Sequence, residues 1–345
     1  MSADRPTDRC PADRWKIVGM IGSPYSVKMR ALMRYRRLPF DWEMRLPQLT
    51  PDEWTIRPLV IPIVISPDST QRVDTTPIAM DFDRDLNDGR EILPPDPAMR
   101  FITLLIEDFA DEWMTKPMFW YRWARQEDID HAARWLTSDM FPTAGAAERQ
   151  ERSAVIRERQ ISRMPLVGCT PENAPVIEQS YRETLAALNT AVGDRAFLFG
   201  SRPSLADFGL FGMMMQLGTD PTPAAIMRDE AQDVADWLRR MDDASGISGD
   251  WDAATLDSAP VAALLKVVST VYLPFLAANA AALEAGDDTF TVTLMGLPYS
   301  QAPFKYQAKC LRLLNEAFAG LPGDAQMKVR ALLSAAGGDA GLFGD

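Results

Sequence analysis

The sequence predicts a small α/β domain followed by a larger all-helical region. Short apolar runs typical of buried strands alternate with helix signals near the start of the chain. From residue 98 to about 245 the pattern is helical, and the Pro-rich stretch 93–97 separates the two parts. We therefore expect a flexible leader at 1–14, an α/β domain at 15–92, an all-helical domain at 98–245, and a mainly helical extension at 246–345 packed on that domain.

Turn and cap residues predict the order of elements in the first domain. The run WKIVGMI is typical of a buried strand. A helix follows it, with Ser23 as N-cap, Pro24 at the first helical position and Pro39 beyond its end. The runs FDWEMRL, LVIPIVI and QRV predict three further strands. A second helix is expected to begin at a cap formed by Thr75 or Thr76.

Composition excludes several classes of function. The 345 residues carry a formal net charge of -12, which argues against nucleic-acid binding, because phosphate contacts need clustered Lys and Arg. Three widely spaced cysteines and a single histidine give no metal-binding pattern, and such sparse cysteines indicate the reducing cytoplasm. The start of the chain lacks an apolar signal core. Lys266 and Pro274 interrupt the apolar stretch 261–283, which favours a buried helix or helix pair over a membrane-spanning helix. We therefore expect no membrane as a partner.

Three motifs of the first domain resemble those of glutathione S-transferases, which have a thioredoxin-like domain followed by a helical domain. The stretch GSPYS, between strand and helix, resembles the family's active-site turn. WTIRPLVIPIVI resembles the stretch that holds a conserved cis-proline, here Pro62. VDTTPI resembles the acidic and hydroxyl pair, here Asp74 and Thr75, that holds the γ-glutamyl end of glutathione.

Two motifs of the helical domain complete the resemblance. SRPSLAD resembles the family's capping box, with Ser204 as N-cap and Asp207 at the third helical position. PAAIMRDEAQDVADWLRRM resembles the helix that follows it. The five ordered motifs cover residues 15–245. The resemblance implies a glutathione-transferase-like fold, glutathione as co-substrate without a metal, and a homodimer.

The resemblance also implies a role for each glutathione-side residue. Ser23 would donate a hydrogen bond to the glutathione thiolate, beside the positive end of the following helix. The backbone at Ile61, before Pro62, would pair with the cysteinyl part of glutathione like an added strand. Asp74 and Thr75 would hold the γ-glutamyl group. The structural alternatives are a helix cap for Ser23, Asp74 and Thr75, and a cis-proline without a ligand for Pro62.

The second-substrate side is expected to include Tyr25 and Ser26 from the turn. Aromatic residues crowd the start of the helical domain, and Trp113 and Tyr121 are candidates for an apolar pocket that takes an electrophile. For most of these aromatic residues the alternative is core packing or a dimer interface.

Two further features bear on the site. Val60 stands where many family members carry a lysine or glutamine that anchors the glycine carboxylate of glutathione, and Arg57 is the nearest substitute. Acidic residues at helical spacing between 107 and 112 are expected to form a solvated face rather than a metal site.

The leading functional hypothesis is a glutathione S-transferase-like enzyme that activates the glutathione thiol for attack on an apolar electrophilic small molecule. A free thiol has a pKa of about 8.5, and lowering it by about two units requires roughly 2.7 kcal/mol. One alternative is a non-catalytic binding or scaffold protein that kept the fold. A further alternative is a glutathione-dependent isomerase or lyase.

Overall fold

The first domain is a four-stranded sheet with two helices. A computed structural model of the protein describes residues 14–86, 88–338 and 343, so the expected leader lies outside the described residues except for Arg14. The strand order is β2-β1-β3-β4; β1 and β2 are parallel, and the other pairs are antiparallel. This is the predicted thioredoxin-like arrangement. Its elements are β1 (Trp15–Gly19), α1 (Pro24–Tyr35), β2 (Phe40–Met44), β3 (Ile63–Ile65), β4 (Gln71–Arg72) and α2 (Thr75–Asp85).

The ends of these elements follow from local chemistry. Ser23 caps α1, and its Oγ accepts a hydrogen bond from the Ser26 N–H at 3.3 Å. Strand β3 begins directly after Pro62, whose peptide bond with Ile61 is cis. Asp74 occupies the N-cap position of α2, in place of either predicted threonine, with φ 76° and no side-chain cap hydrogen bond. The Asp74 side chain is therefore available to other partners.

The helical domain is built around a central buried helix, α8. The predicted capping box starts it: the Asp207 N–H donates to Ser204 Oγ at 3.4 Å, and the Ser204 N–H donates to Asp207 Oδ2 at 2.9 Å. Helix α8 packs between α1 and α3. The helices of this domain are α3 (Pro97–Glu112), α4 (Thr115–Ala124), α5 (Gln126–Met140), α6 (Ala146–Ile161), α7 (Ala174–Asp194), α8 (Leu205–Leu217), α9 (Pro221–Glu230) and α10 (Gln232–Asp242).

The extension wraps back onto the helical domain. Helices α13 (Lys305–Ala319) and α14 (Gly323–Ala335) pack on α3, and strand β6 (Leu297–Gln301) packs on α7. The stretch Ala259–Ala285 is long and apolar enough to cross a membrane, but most of it is buried inside the molecule, as in a core helix. The elements are α11 (Ala259–Val267), a π-helical turn (Val268–Tyr272), α12 (Leu273–Ala285), the hairpin of β5 (Phe290–Leu294) and β6 (Leu297–Gln301), α13 (Lys305–Ala319) and α14 (Gly323–Ala335).

Helix α8 of the helical domain lies in close contact with α1 of the first domain. Gly212 lies at this contact, and a Cβ there would stand 2.6 Å from the Pro24 carbonyl oxygen and 3.2 Å from Lys28 Cβ. Any larger residue would push the helices apart. The ring of Tyr35 on α1 packs against Phe208 on α8, with centroids 5.7 Å apart.

A buried ionic cluster joins α1, α2 and α3. The Lys28 ammonium, 1% exposed, donates to Asp111 Oδ2 at 2.6 Å and to Glu107. The Thr76 hydroxyl donates to Glu107 at 2.5 Å. Burial opposes the charged form of Lys28, but Asp111 and Glu107 outweigh it and raise its pKa. The acids of α3 are therefore not the solvated face expected from the sequence, because the first domain and the extension cover them.

We expect Lys28→Met to lower the free energy of unfolding by about 3–5 kcal/mol, because it leaves two buried carboxyl groups without their cation. Urea unfolding followed by tryptophan fluorescence measures the loss. The matched control is Lys328→Met, which removes an exposed ion pair with Asp257 and is expected to cost about 0–1 kcal/mol. Equal losses in the two variants would contradict a structural role for the cluster.

Candidate functional site

A cleft of about 680 Å³ lies where the first domain meets α3, α4 and the extension. Such a volume suits a small-molecule site. The first domain, the α3–α4 region and the extension each contribute lining residues. The principal ones are Tyr25, Val60, Ile61, Pro62, Asp74 and Thr75; then Asp111, Glu112, Lys116, Met118 and Phe119; then Gln301, Phe304, Tyr306, Gln307 and Lys309.

Four of the five glutathione-side residues predicted from the sequence line the same cleft, and Ser23 does not. Ile61 and the cis-linked Pro62 form the end that leads into β3. Within the described part of the chain, the Ile61 N–H has no hydrogen-bond partner. Asp74 and Thr75 lie at the start of α2, where backbone N–H groups have no intrahelical acceptors. This wall offers free donors and one carboxylate to a peptide-like ligand.

The extension reaches the same wall through α13. The Tyr306 hydroxyl donates to Asp74 Oδ2 at 3.1 Å, and the Lys309 ammonium lies 3.6 Å from the same oxygen. Reasoning from the sequence missed both residues. They are more than 200 positions from Asp74, and no local pattern marks such a contact.

The hydroxyl groups of the turn lie in different surroundings. Ser23 is 9% exposed and Ser26 is fully buried, and neither is among the described residues that line the cleft. Ser26 Oγ accepts from the Met20 N–H at 3.4 Å. The Ser23 hydroxyl proton has no acceptor among the described residues. Tyr25 does line the cleft, and its hydroxyl donates to the Asp111 carbonyl oxygen at 2.9 Å.

The two aromatic candidates for the electrophile pocket are packed in the core. Trp113 is fully buried against Phe275, with centroids 5.3 Å apart, and Tyr121 packs against Tyr181 at 5.3 Å. Among the described residues, neither lines this cleft, whereas Phe119 does. The sequence places all of them on neighbouring helical turns, and only the packing of α4 decides which side chain faces the cleft.

Among the described residues of the first domain, no lysine or arginine lines the cleft where Val60 lies. Val60 is 45% exposed and lines the cleft. The Arg57 guanidinium donates to the carbonyl oxygens of Trp54 at 2.8 Å and Ile56 at 2.7 Å, so it braces its own loop. The lysines that line the cleft come from α4 and α13.

Burial shifts the pKa values of acidic and basic cleft residues, and it raises that of Asp111. The pKa of Glu112 rises to about 8, because burial and the nearby carboxyl groups of Asp108 and Asp111 oppose its ionisation. Burial lowers the pKa of Lys116 to about 8. The Lys116 ammonium donates to Gln301 Oε1 at 2.6 Å and to the Val167 carbonyl oxygen at 3.0 Å. The titratable groups around Glu112 are Tyr25, Asp108, Asp111, Lys116, Tyr272, Tyr306 and Cys310.

A thioredoxin-like domain followed by a helical domain, with the cleft at their junction, is the architecture of the glutathione-transferase class. Residues 146–240 match the sequence model of the family described as "Glutathione S-transferase, C-terminal domain". This part of the chain is therefore similar to the C-terminal domain of glutathione S-transferases. The matched segment runs from α6 to α10, so the extension lies outside it. Across residues 14–86, 88–338 and 343, no group of three or more His, Cys, Asp or Glu side chains is arranged to hold a metal ion.

Solved structures of similar fold share little sequence with this chain. The β-etherase LigF from Sphingobium sp. strain SYK-6 is 18% identical, with 66% of this chain and 94% of that chain covered and a TM-score of 0.47. A glutathione S-transferase from Methylobacterium radiotolerans, in complex with glutathione sulfonate, is 19% identical, with 66% of this chain and 90% of that chain covered and a TM-score of 0.39. A glutathione transferase family member from Pseudomonas fluorescens, with two glutathione bound, is 16% identical, with 68% of this chain and 90% of that chain covered and a TM-score of 0.39. No match was found among curated protein sequences.

We expect the free energy of unfolding to fall as the pH rises from about 5 to about 8, and to fall less in Glu112→Gln. Folded Glu112 keeps its proton up to about pH 8, whereas the unfolded group releases it near 4.5. The folded state therefore binds more protons in this window, which gives the negative slope. Urea unfolding across the pH range measures it. The control, Glu148→Gln on the exposed face of α6, should keep the natural slope; an unchanged slope in Glu112→Gln contradicts the assignment.

Proposed function

We propose that the protein is a glutathione S-transferase-like enzyme that activates the glutathione thiol for attack on an apolar electrophile. The observation that carries the proposal is the convergence of Ile61, Asp74 and Thr75 on one wall of a cleft whose other walls are partly apolar. Each offers a group that glutathione needs. The free Ile61 N–H suits the cysteinyl backbone, which would pair with it as an extra strand does.

The γ-glutamyl end of glutathione carries an amine and a carboxylate, and the start of α2 suits both. The Asp74 carboxylate would accept hydrogen bonds from the amine. The N-terminus of α2 at Thr75 would favour the carboxylate through its free N–H groups and its positive dipole end. The Lys309 ammonium, 3.6 Å from Asp74, adds a second positive charge beside the carboxylate.

The thiolate needs a donor at the start of α1, where two hydroxyl groups are close in sequence. The Tyr25 hydroxyl already donates its proton to the Asp111 carbonyl oxygen at 2.9 Å. The Ser23 hydroxyl accepts from the Ser26 N–H and keeps its proton free. Ser23 is therefore the better donor to the sulfur, and the helix N-terminus supports the same charge. Tyr25 would instead contact the second substrate.

The first experiment separates enzyme from binding protein. Calorimetric titration of the full chain with glutathione, followed by a conjugation assay with 1-chloro-2,4-dinitrobenzene, should show binding and turnover. No binding at millimolar glutathione would overturn the transferase and the glutathione-dependent isomerase or lyase together, and would favour the scaffold alternative. Binding without conjugation of this or other alkylating electrophiles would favour an isomerase, a lyase or a non-catalytic binder.

We expect Ser23→Ala to lower the rate of conjugation by about tenfold to a hundredfold. A hydrogen bond to a charged group contributes about 1.5–3 kcal/mol, which corresponds to that range. The pKa of bound glutathione, followed by the ultraviolet absorbance of its thiolate, should rise in this variant. The matched control is Tyr25→Phe, whose bound thiol should keep its pKa. The assignment is wrong if the thiol pKa responds to Tyr25→Phe and not to Ser23→Ala.

We expect Lys309→Met to raise the Kd for glutathione about two- to fivefold, as for the loss of a partly exposed charge pair worth roughly 0.5–1 kcal/mol. Calorimetry at low and high salt measures it, and the difference should shrink as salt screens the charge. The control is Lys305→Met, an exposed residue at the start of α13. A lower Kd in Lys309→Met would mean that this lysine competes with glutathione for Asp74, contrary to the proposal.

The resemblance to glutathione S-transferases also leads us to propose a homodimer that works in the cytoplasm. Sedimentation equilibrium of the full chain tests the oligomeric state, and fractionation of the source cells tests the compartment. A monomer at micromolar concentration would overturn the first statement without affecting the catalytic proposal.

A further inference from the structure

The extension supplies one end of the cleft. Residues of β6, of α13 and of the link between them face α3 and α4 across it, and they lie outside the matched segment 146–240. Gln307 is 7% exposed and faces the cleft from α13, and Glu112 lines the cleft from the end of α3. This end of the cleft is thus made by two segments that are distant in sequence.

Two acceptor oxygens at this end have no hydrogen-bond partner among the described residues. They are Gln307 Oε1 and Asp111 Oδ1, and both belong to cleft-lining residues that are 7% and 8% exposed. The other carboxylate oxygen of Asp111 is bound to Lys28. A buried polar atom left unpaired costs about 1–3 kcal/mol, and such atoms are nearly always paired in folded proteins. A ligand group that donates hydrogen bonds would pair them.

The charges around this end favour a neutral donor over an ammonium group. Asp74 is paired with Lys309, and Lys28 is shared by Asp111 and Glu107. The Lys116 ammonium adds a third positive charge to the cleft lining, so the three cations match the three carboxylates. Burial holds Glu112 in its protonated form at neutral pH. No unbalanced negative charge is then left among the described lining residues to compensate a buried cation, whose desolvation is costly. A hydroxyl group supplies one proton without that cost, which is enough to pair one of the two oxygens.

The walls beside the polar end suit an apolar molecule. Met118 and Phe119 on α4, Leu166 before α7 and Phe304 at the start of α13 all line the cleft. Phe304 is 53% exposed and Leu166 is 64% exposed, so an apolar ligand would bury surface that water now covers. The cleft therefore combines an apolar wall with a small polar end.

We infer that Asp111, Glu112 and Gln307 form a polar subsite that binds the hydroxyl group of an apolar, hydroxyl-bearing small molecule. Gln307 accepts the hydroxyl proton, and the Glu112 carboxyl group donates to the hydroxyl oxygen. That this molecule is the second substrate rests on the proposed function. The binding itself does not, because it needs no glutathione.

The test is a fluorescence titration of the full chain, without glutathione, with three probes of similar shape. 2-Naphthol carries a hydroxyl group, 2-methoxynaphthalene lacks the proton, and 2-naphthylmethylamine is a cation at neutral pH. We expect 2-naphthol to bind about three- to tenfold more tightly than the methoxy probe, as for one hydrogen bond of roughly 0.5–1.5 kcal/mol. Equal affinities, or no binding of any probe, would overturn the inference, and tightest binding of the ammonium probe would show a cation site instead.

The matched variants are Gln307→Leu and Asn315→Leu, which replace an amide by an apolar group on the same helix, inside and outside the cleft. Gln307→Leu should remove the preference for 2-naphthol and keep the affinity for 2-methoxynaphthalene, and Asn315→Leu should keep both. Gln307→Met serves as a second variant if the first unfolds, as judged by thermal unfolding. A retained preference in both Gln307 variants overturns the subsite. If the natural protein prefers 2-naphthol but does not bind glutathione in the calorimetric titration, only the proposed function is contradicted.

Discussion

The buried ammonium group of Lys28 is the constraint on which the arrangement of the cleft depends. It lies on α1 and binds Glu107 and Asp111 on α3, while Thr76 on α2 binds the same Glu107. A buried cation cannot be left without partners, so the three helices keep one relative position. That position brings Tyr25 near the start of α1, the start of α2 and the end of α3 to the same cleft.

The four acids of α3 share a helix but have different functions, because each faces a different neighbour. Glu107 balances Lys28, and Asp108 accepts from the Tyr272 hydroxyl at 2.6 Å. Asp111 binds Lys28 with one oxygen and leaves the other unpaired. Glu112 faces the cleft and keeps its proton because burial and its neighbours disfavour its charge. One short stretch of sequence therefore serves both the domain junction and the site.

The sequence predicted the position of a site residue correctly where that position depends on neighbouring residues in the chain. Ile61, Pro62, Asp74 and Thr75 come together on one wall of the cleft, and strand ends and helix caps are readable from neighbouring residues. The sequence did not predict which side chains of a helix face the core, the cleft or the solvent. Trp113 and Tyr121 point into the core, and the acids of α3 are covered rather than solvated. The spacing of side chains on a helix shows which residues share a face, but the neighbouring elements determine what that face meets.

The sequence by itself determined the first domain's strands and helices, the cap at Ser23, and the capping box of Ser204 and Asp207. Each depends on hydrogen bonds or periodicity within a few residues. Only the tertiary structure decided that the extension completes the cleft, with Tyr306 and Lys309 beside Asp74 and Gln307 beside Glu112. Those contacts join segments about 200 or more residues apart. Burial and charge balance in the folded chain fix them, and no local pattern encodes either quantity.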